Sequence, residues 1–191
     1  MTDPRIETAP AAGTSLGYAL FDTALGTCAI AWSAAGVAGV QLPDRDPDRT
    51  RDGLLRHHEG AVQAEPPAAI SDIIAGIQAL LDGQHVSFDG IDLDPVGVPE
   101  FNQRVYELTR RIPVGSTLSY GEIASRLGSP GAARAVGRAL GDNPYPIVVP
   151  CHRVLAADGS MHGFSAPGGI ATKRRMLRIE GALPPEEPTL F

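Results

Sequence analysis

The chain has 191 residues, of which 43% are hydrophobic and 20% charged. That composition suits one or two packed globular domains and excludes wholesale disorder. Acidic residues outnumber basic ones 22 to 16, for a net charge of −6, which read whole argues against a polyanionic partner.

The charge is segregated, however. Residues 1–100 hold 5 Lys/Arg against 15 Asp/Glu, net −10. Residues 101–181 hold 11 against 5, net +6, and residues 182–191 add −2. The basic segment is where phosphate could bind. No apolar run reaches the ~18 residues of a membrane-spanning helix. The first residues, with Asp3, Arg5 and Glu7, lack a signal-peptide core. No membrane partner is therefore expected. Cys28 and Cys151 are too few for a disulfide framework, and a cytoplasmic location is the expectation.

In chain order, residues 1–15 are rich in Ala, Pro and Thr and read as a loose leader. Residues 16–42 alternate apolar and small polar residues around turns at Gly26 and Ala34–Gly36, predicting two or three short antiparallel strands. The Pro- and charge-rich stretch 43–53 reads as a loop leading into a short helix. Ile70, Ile73, Ile74, Ile77, Leu80 and Leu81 fall at helical spacing up to Gly83. Residues 85–94 are expected to add a strand, and 95–100 a linker. Phe101, Val105, Leu108 and Ile112 predict a further helix, stopped by Pro113 and Gly115.

Ser119, with Glu122 three residues on, carries the capping-box signature of a helix start. That helix ends at Gly128, and a turn at Ser129–Gly131 leads to a second helix candidate, AARAVGRALGDN. Helix, short turn and helix is the helix-turn-helix plan. The second helix is unusually thin, with Arg134 and Arg138 one turn apart among Ala and Gly. Small residues with a protruding Arg suit close approach to a minor groove. They equally suit a helix packed tightly on a neighbour.

The segment 143–154 then delivers Cys151, flanked by Pro150 and His152. Cys28 sits in an apolar strand pattern and reads as a small buried hydrophobe. For Cys151, the cationic neighbours His152 and Arg153 are expected to lower the thiol pKa from about 8.5 towards roughly 3.5–7.5, making a nucleophilic thiolate. No metal is expected, because Cys28, His57, His58 and His85 show no ligand spacing.

These stretches resemble the O6-alkylguanine-DNA alkyltransferases, also called methylated-DNA–protein-cysteine methyltransferases. IPVGSTLSYGEIA (112–124), ARAVGRALGDNP (133–144), IVVPCHRV (147–154) and the GG…K…L…EG tail (168–181) carry the likeness. The resemblance implies an α+β protein. An N-terminal three-layer α/β domain over 16–94, with a small, mainly antiparallel, ribonuclease-H-like sheet, would precede a linker at 95–100. A catalytic winged helix-turn-helix domain would occupy 101–181, with a tail at 182–191.

It implies that Cys151 accepts an alkyl group from a flipped O6-alkylguanine in double-stranded DNA, O4-methylthymine being a further candidate substrate. His152 would take the thiol proton through a water, and Glu180 would orient His152. Tyr120 would donate a proton toward guanine N3. Arg134 would fill the gap left by the flipped base. Asn143 would tie the recognition helix to the active-site loop, and Ala133 and Arg138 would join Arg134 and Tyr120 at the minor groove. Val154, Phe164, Ser165, Leu140 and Lys173 would line the pocket, with the Cys151 and Val154 carbonyls accepting the guanine amino group.

The thioether product is not reversed, so each molecule would act once, as a monomer and without a cofactor. Where the family has a Tyr, this chain has Phe164, and the loop to Gly168–Gly169 is longer. Two other readings stand beside this one. One is a DNA-binding protein that recognises alkylated bases without efficient transfer. The other is a Cys–His–Glu hydrolase, which the sequence supports with no oxyanion-hole or G-x-S-x-G motif.

Overall fold

The computed structural model describes residues 16–184. The leader expected at 1–15 and residues 185–191 of the expected tail lie outside the described residues. Three antiparallel strands open the fold: β1 (Gly17–Thr23), β2 (Gly26–Ser33) and β3 (Gly36–Gln41). Both hairpin turns use a glycine at positive φ, Gly26 and Gly36. At Gly36 a side chain would also collide with the Asp92 carbonyl, so the position demands glycine twice over.

Helix α1 (Pro47–Leu55) follows, with Pro47 in its first turn and the Asp46 carboxylate accepting from Arg49 N at 2.8 Å. A two-residue strand, β4 (Val62–Gln63), then pairs parallel to β1, giving the sheet order β3-β2-β1-β4. The isoleucine-rich helix α2 (Ala68–Leu81) forms where the apolar spacing predicts it.

The alternation in the strands decides how the sheet is covered. Phe21, Ile30, Trp32 and Val40 pack with Ile70, Ile73 and Ile77 of α2 on one face. Tyr18, Ala29, Ala31 and Ala38 pack with Leu54 of α1 on the other. Burying each large aliphatic side chain stabilises the fold by about 1.5–3 kcal/mol, so both sheet faces are fixed by strand periodicity.

The strand expected at 85–94 does not form. Only an isolated bridge between Val37 and Leu93 joins this segment to β3. Gly90 turns the chain at positive φ. Arg110 Nη2 donates to the Phe88 and Ile91 carbonyls at 2.6 and 2.9 Å, using acceptors that a strand ladder would need.

Helices α3 (Glu100–Arg110), α4 (Tyr120–Arg126), α5 (Ala133–Gly141) and α6 (Gly169–Ile179) follow, joined by loops and short turns. The capping box is present: Ser119 Oγ accepts from Glu122 N, and the Glu122 carboxylate accepts from Ser119 N at 2.7 Å. Two-residue strands β5 (Leu118–Ser119) and β6 (Val154–Leu155) pair in parallel and bring the start of α4 beside the chain just past Cys151. One continuous core runs from the sheet through Val105, Ile123, Val136 and Ile147 to Met176. Edge strand β3 also grips the loop before Cys151, with Val40 N donating to the Pro144 carbonyl at 2.8 Å. No helix among the described residues is long and apolar enough to cross a membrane.

Candidate active site

The loop 143–150 leaves α5 and presents Cys151. Asn143 lies two residues past the helix. Its Nδ2 donates to the Val149 carbonyl at 2.9 Å and its Oδ1 accepts from Tyr145 N at 3.0 Å. Pro144, Pro146 and Pro150 restrict the loop further. Ile147 sits at φ 76°, fully buried. A β-branched residue there stores roughly 1–3 kcal/mol of strain, held by the surrounding packing. Cys151 then begins a single 3₁₀ turn, Cys151–Arg153, that runs into β6.

Four groups cluster out of solvent: Cys151 (9% exposed), His152 (0%), Arg153 (4%) and Glu180 (6%). Glu180 caps the C-terminal end of α6. It receives Arg153 as a fork, Nε to Oε2 at 2.8 Å and Nη2 to Oε1 at 2.9 Å. Arg153 Nη1 is taken by the Ile112 carbonyl at 2.7 Å. Burial pushes the Glu180 pKa upward, but the hydrogen bonds from His152 and Arg153, with the Arg153 charge, outweigh it and hold the carboxyl down at about 2.

An ionised carboxylate only accepts, so the 2.8 Å contact between His152 Nε2 and Glu180 Oε1 is a donation from Nε2–H. Burial lowers the His152 pKa despite Glu180, so the imidazole is neutral. Its Nδ1 is then a bare lone pair, buried and without a hydrogen-bond partner among the described residues. This is a base held in one tautomer by a carboxylate.

The expected low thiol pKa is corrected. Burial raises the Cys151 pKa, with partial opposition from an Asn143 hydrogen bond and the Lys173 charge. Arg153 does not supply the cation, because Glu180 and the Ile112 carbonyl hold its guanidinium. Lys173 does: it is 1% exposed, its Nζ donates to the Val154 carbonyl at 2.6 Å, and it lies 5.9 Å from the Phe164 ring centroid. Cys28 is a buried thiol whose pKa burial lifts to about 12, in line with its reading as an inert hydrophobe.

Tyr120, the first residue of α4, is half-buried. Burial and then the Cys151 charge raise its pKa, so the phenol keeps its proton at neutral pH. Tyr120, Leu140, Cys151, Phe164 and Lys173 line a cavity of about 400 Å³, with Gly137 of α5 also on its wall. A larger cavity, about 840 Å³, also reaches Cys151. Ser165 lines both cavities, its Oγ donating to the Gly141 carbonyl at 2.8 Å.

Arg134 and Arg138 are exposed on α5, whose first residue is Ala133. Val154 is fully buried and lines neither cavity. Its carbonyl already accepts from Lys173, and the Cys151 carbonyl accepts from Val154 N. Each carbonyl therefore keeps one lone pair for a ligand. Sequence reading missed the Arg153–Glu180 fork and the backbone conformation of Ile147. Nothing local in the sequence signals either. It also missed His162, which lines the smaller cavity.

Residues 100–182 match the family "6-O-methylguanine DNA methyltransferase, DNA binding domain". The methylated-DNA–protein-cysteine methyltransferase of Mycolicibacterium paratuberculosis is 37% identical over 174 residues, covering 91% of this chain and 98% of its own. The Mycobacterium tuberculosis protein of that name is 46% identical over 125 residues, 65% of this chain and 73% of that one. Among solved structures, Mycobacterium tuberculosis OGT in complex with DNA superposes with a TM-score of 0.70 at 35% identity, covering 87% of this chain and 93% of that chain. The fold and the cysteine site are thus those of an alkyl-accepting DNA repair class. The chain belongs to the methylated-DNA–protein-cysteine methyltransferase family.

Proposed function

We propose that the protein repairs alkylated DNA by direct reversal, moving the alkyl group of an O6-alkylguanine in duplex DNA onto Cys151. The observation that carries this reading is the buried Cys151 at a cavity wall, followed by a neutral His152 whose Nε2–H is fixed on Glu180.

The chemistry follows from the groups. Cys151 rests as a thiol, because burial disfavours its anion. Its proton leaves through a water to the bare Nδ1 of His152, while Glu180 stabilises the imidazolium that forms. Lys173 and the Asn143 amide stabilise the emerging thiolate. Tyr120, still protonated, donates toward guanine N3 and makes the base a better leaving group. The sulfur attacks the alkyl carbon, the C–O6 bond breaks, and a thioether remains. Nothing in this scheme restores the thiol, so one molecule repairs one lesion. No cofactor takes part. O4-methylthymine is a further candidate substrate.

The target base must leave the stack to reach a buried sulfur. Helices α4 and α5 act as a winged helix-turn-helix that approaches the minor groove, with Ala133 close to the backbone and Arg138 beside it. Arg134 inserts where the base was. The N-terminal residues 16–94 form the ribonuclease-H-like domain, joined through 95–100 to the catalytic domain at 101–181. The protein acts as a cytoplasmic monomer.

The test is mass spectrometry of the protein after incubation with duplex DNA containing O6-methylguanine. The peptide holding Cys151 is expected to gain the mass of one CH₂. An unmodified peptide beside intact lesion DNA refutes the reading.

A further inference from the structure

The loop 156–163, between β6 and Phe164, carries a chain of three polar side chains that ends at the smaller cavity. The loop is a well-tied turn. Ala156 N donates to the Ser160 carbonyl at 3.0 Å, and Gly159 N donates to the Ala156 carbonyl at 2.9 Å. Asp158 Oδ1 accepts from Ser160 N at 2.9 Å and from Ser160 Oγ at 2.6 Å. Ser160 Oγ also lies 2.7 Å from His162 Nε2. Its hydroxyl proton is already on Asp158, so here the oxygen accepts and Nε2–H donates. Asp158 thus fixes the His162 ring through Ser160, and Nδ1 is the ring nitrogen left for a ligand.

His162 lines the cavity and is exposed, so it stands at the rim, while Cys151 is buried. The other polar side chains of the wall serve elsewhere. Buried Lys173 donates to the Val154 carbonyl, Ser165 Oγ donates to the Gly141 carbonyl, and Tyr120 is half-buried. A base whose O6 reaches Cys151 enters with its glycosidic bond toward the opening. Its phosphates stay at the rim, because burying their charge is costly. Protonated His162 carries N–H on both ring nitrogens. Nε2–H stays on Ser160, and Nδ1–H is free for an anion. The phosphate charge favours that proton, and so does the charge of Asp158. Tyr120, Cys151 and Lys173 are the other titratable groups of this cavity.

We propose that His162 is a phosphate ligand for the flipped nucleotide. Its Nδ1–H binds a phosphate next to the extruded base and holds that base in the cavity. This rests on the repair reading above and adds a substrate-binding residue to it. No covalent step changes. Asp158 and Ser160 are positioning residues that keep Nδ1 available.

The experiment measures single-turnover methyl transfer below saturation. The duplexes carry a natural phosphate or an uncharged methylphosphonate on either side of O6-methylguanine. His162→Ala is expected to slow transfer from the natural duplex about tenfold, the worth of one charge-assisted hydrogen bond. Its affinity for undamaged duplex is expected to stay within about twofold, because no nucleotide is extruded there. That affinity also reports that each variant folds. His162→Lys is expected to recover most of the rate, and His162→Phe none of it. Methylphosphonate at the contacted phosphate is expected to slow the parent as His162→Ala does, and to add nothing in the variant. Unchanged transfer in His162→Ala overturns the proposal, as does an equal loss of affinity for undamaged duplex. Methylphosphonates on both sides that slow parent and variant equally also overturn it. Recovery by Phe but not by Lys marks stacking on the base and overturns it too. A parent that transfers no methyl group instead overturns the repair reading itself.

Discussion

Burial lifts the Cys151 pKa and lowers that of His152, so the resting pair is a thiol beside a neutral base. The sign of the pH dependence follows. In the proposed mechanism transfer requires unprotonated His152, whose pKa lies below the ordinary imidazole value of about 6.5. The single-turnover rate is therefore expected to hold steady from pH 8 down through pH 6.5 and to fall only in more acid solution. A fall beginning above pH 7 would place the base elsewhere. Glu180 makes a separate statement about stability. Its folded pKa of about 2 lies well below the ordinary carboxylate value of about 4.5. Its contribution is present above about pH 4.5 and is lost as pH falls towards 2, about 3 kcal/mol in all. Glu180→Gln is expected to remove that acid dependence in urea unfolding. It also leaves the Arg153 guanidinium buried without a countercharge, costing about 3–5 kcal/mol at neutral pH. At this scale the sequence displayed the chemical residues, because Cys151, His152 and Arg153 are adjacent. It hid their electrostatics. The partner of Arg153 lies 27 residues away, and adjacency in sequence made the wrong cation look like the activating one.

Local signals read well at the level of elements, where the physics is local. The capping box at Ser119, the isoleucine spacing of α2 and the glycine turns of the first three strands all act within a few residues. The segment 85–94 read badly because Arg110, on a distant helix, takes its carbonyls. Strand β4 is two residues long and too short to show periodicity. Gly137 of α5 faces the Tyr120 ring. A methyl group at Gly137 would lie 3.7 Å from the Tyr120 ring, in ordinary contact. Gly137→Ala is therefore expected to keep transfer and to stabilise α5 by roughly 1 kcal/mol. Gly137→Leu would crowd Tyr120 and occupy the smaller cavity, abolishing transfer in a protein that still folds. Thermal unfolding with a transfer assay separates the two effects. Full activity in Gly137→Leu would remove the base from that cavity.

Across the whole molecule the charge asymmetry, −10 over residues 1–100 against +6 over 101–181, is expected to orient the protein on a polyanion. The basic segment carries Arg134, Arg138 and Cys151, and the acidic half is expected to face away from phosphate. Few phosphates can be neutralised by so small a basic face, so duplex affinity is expected to be modest. It should fall with salt at a slope of about −0.9 per phosphate contacted. Fluorescence anisotropy across a salt series checks this, and a salt-independent affinity would contradict it.

The central claim is that Cys151 is the single, sacrificial acceptor. Its most direct test is a titration of the protein with excess O6-methylguanine duplex, counting methyl groups transferred and locating them by peptide mapping. A plateau at one methyl per molecule is expected, all of it on Cys151 and none on buried Cys28. Continued turnover past one equivalent, or a methyl group on any other residue, would contradict it.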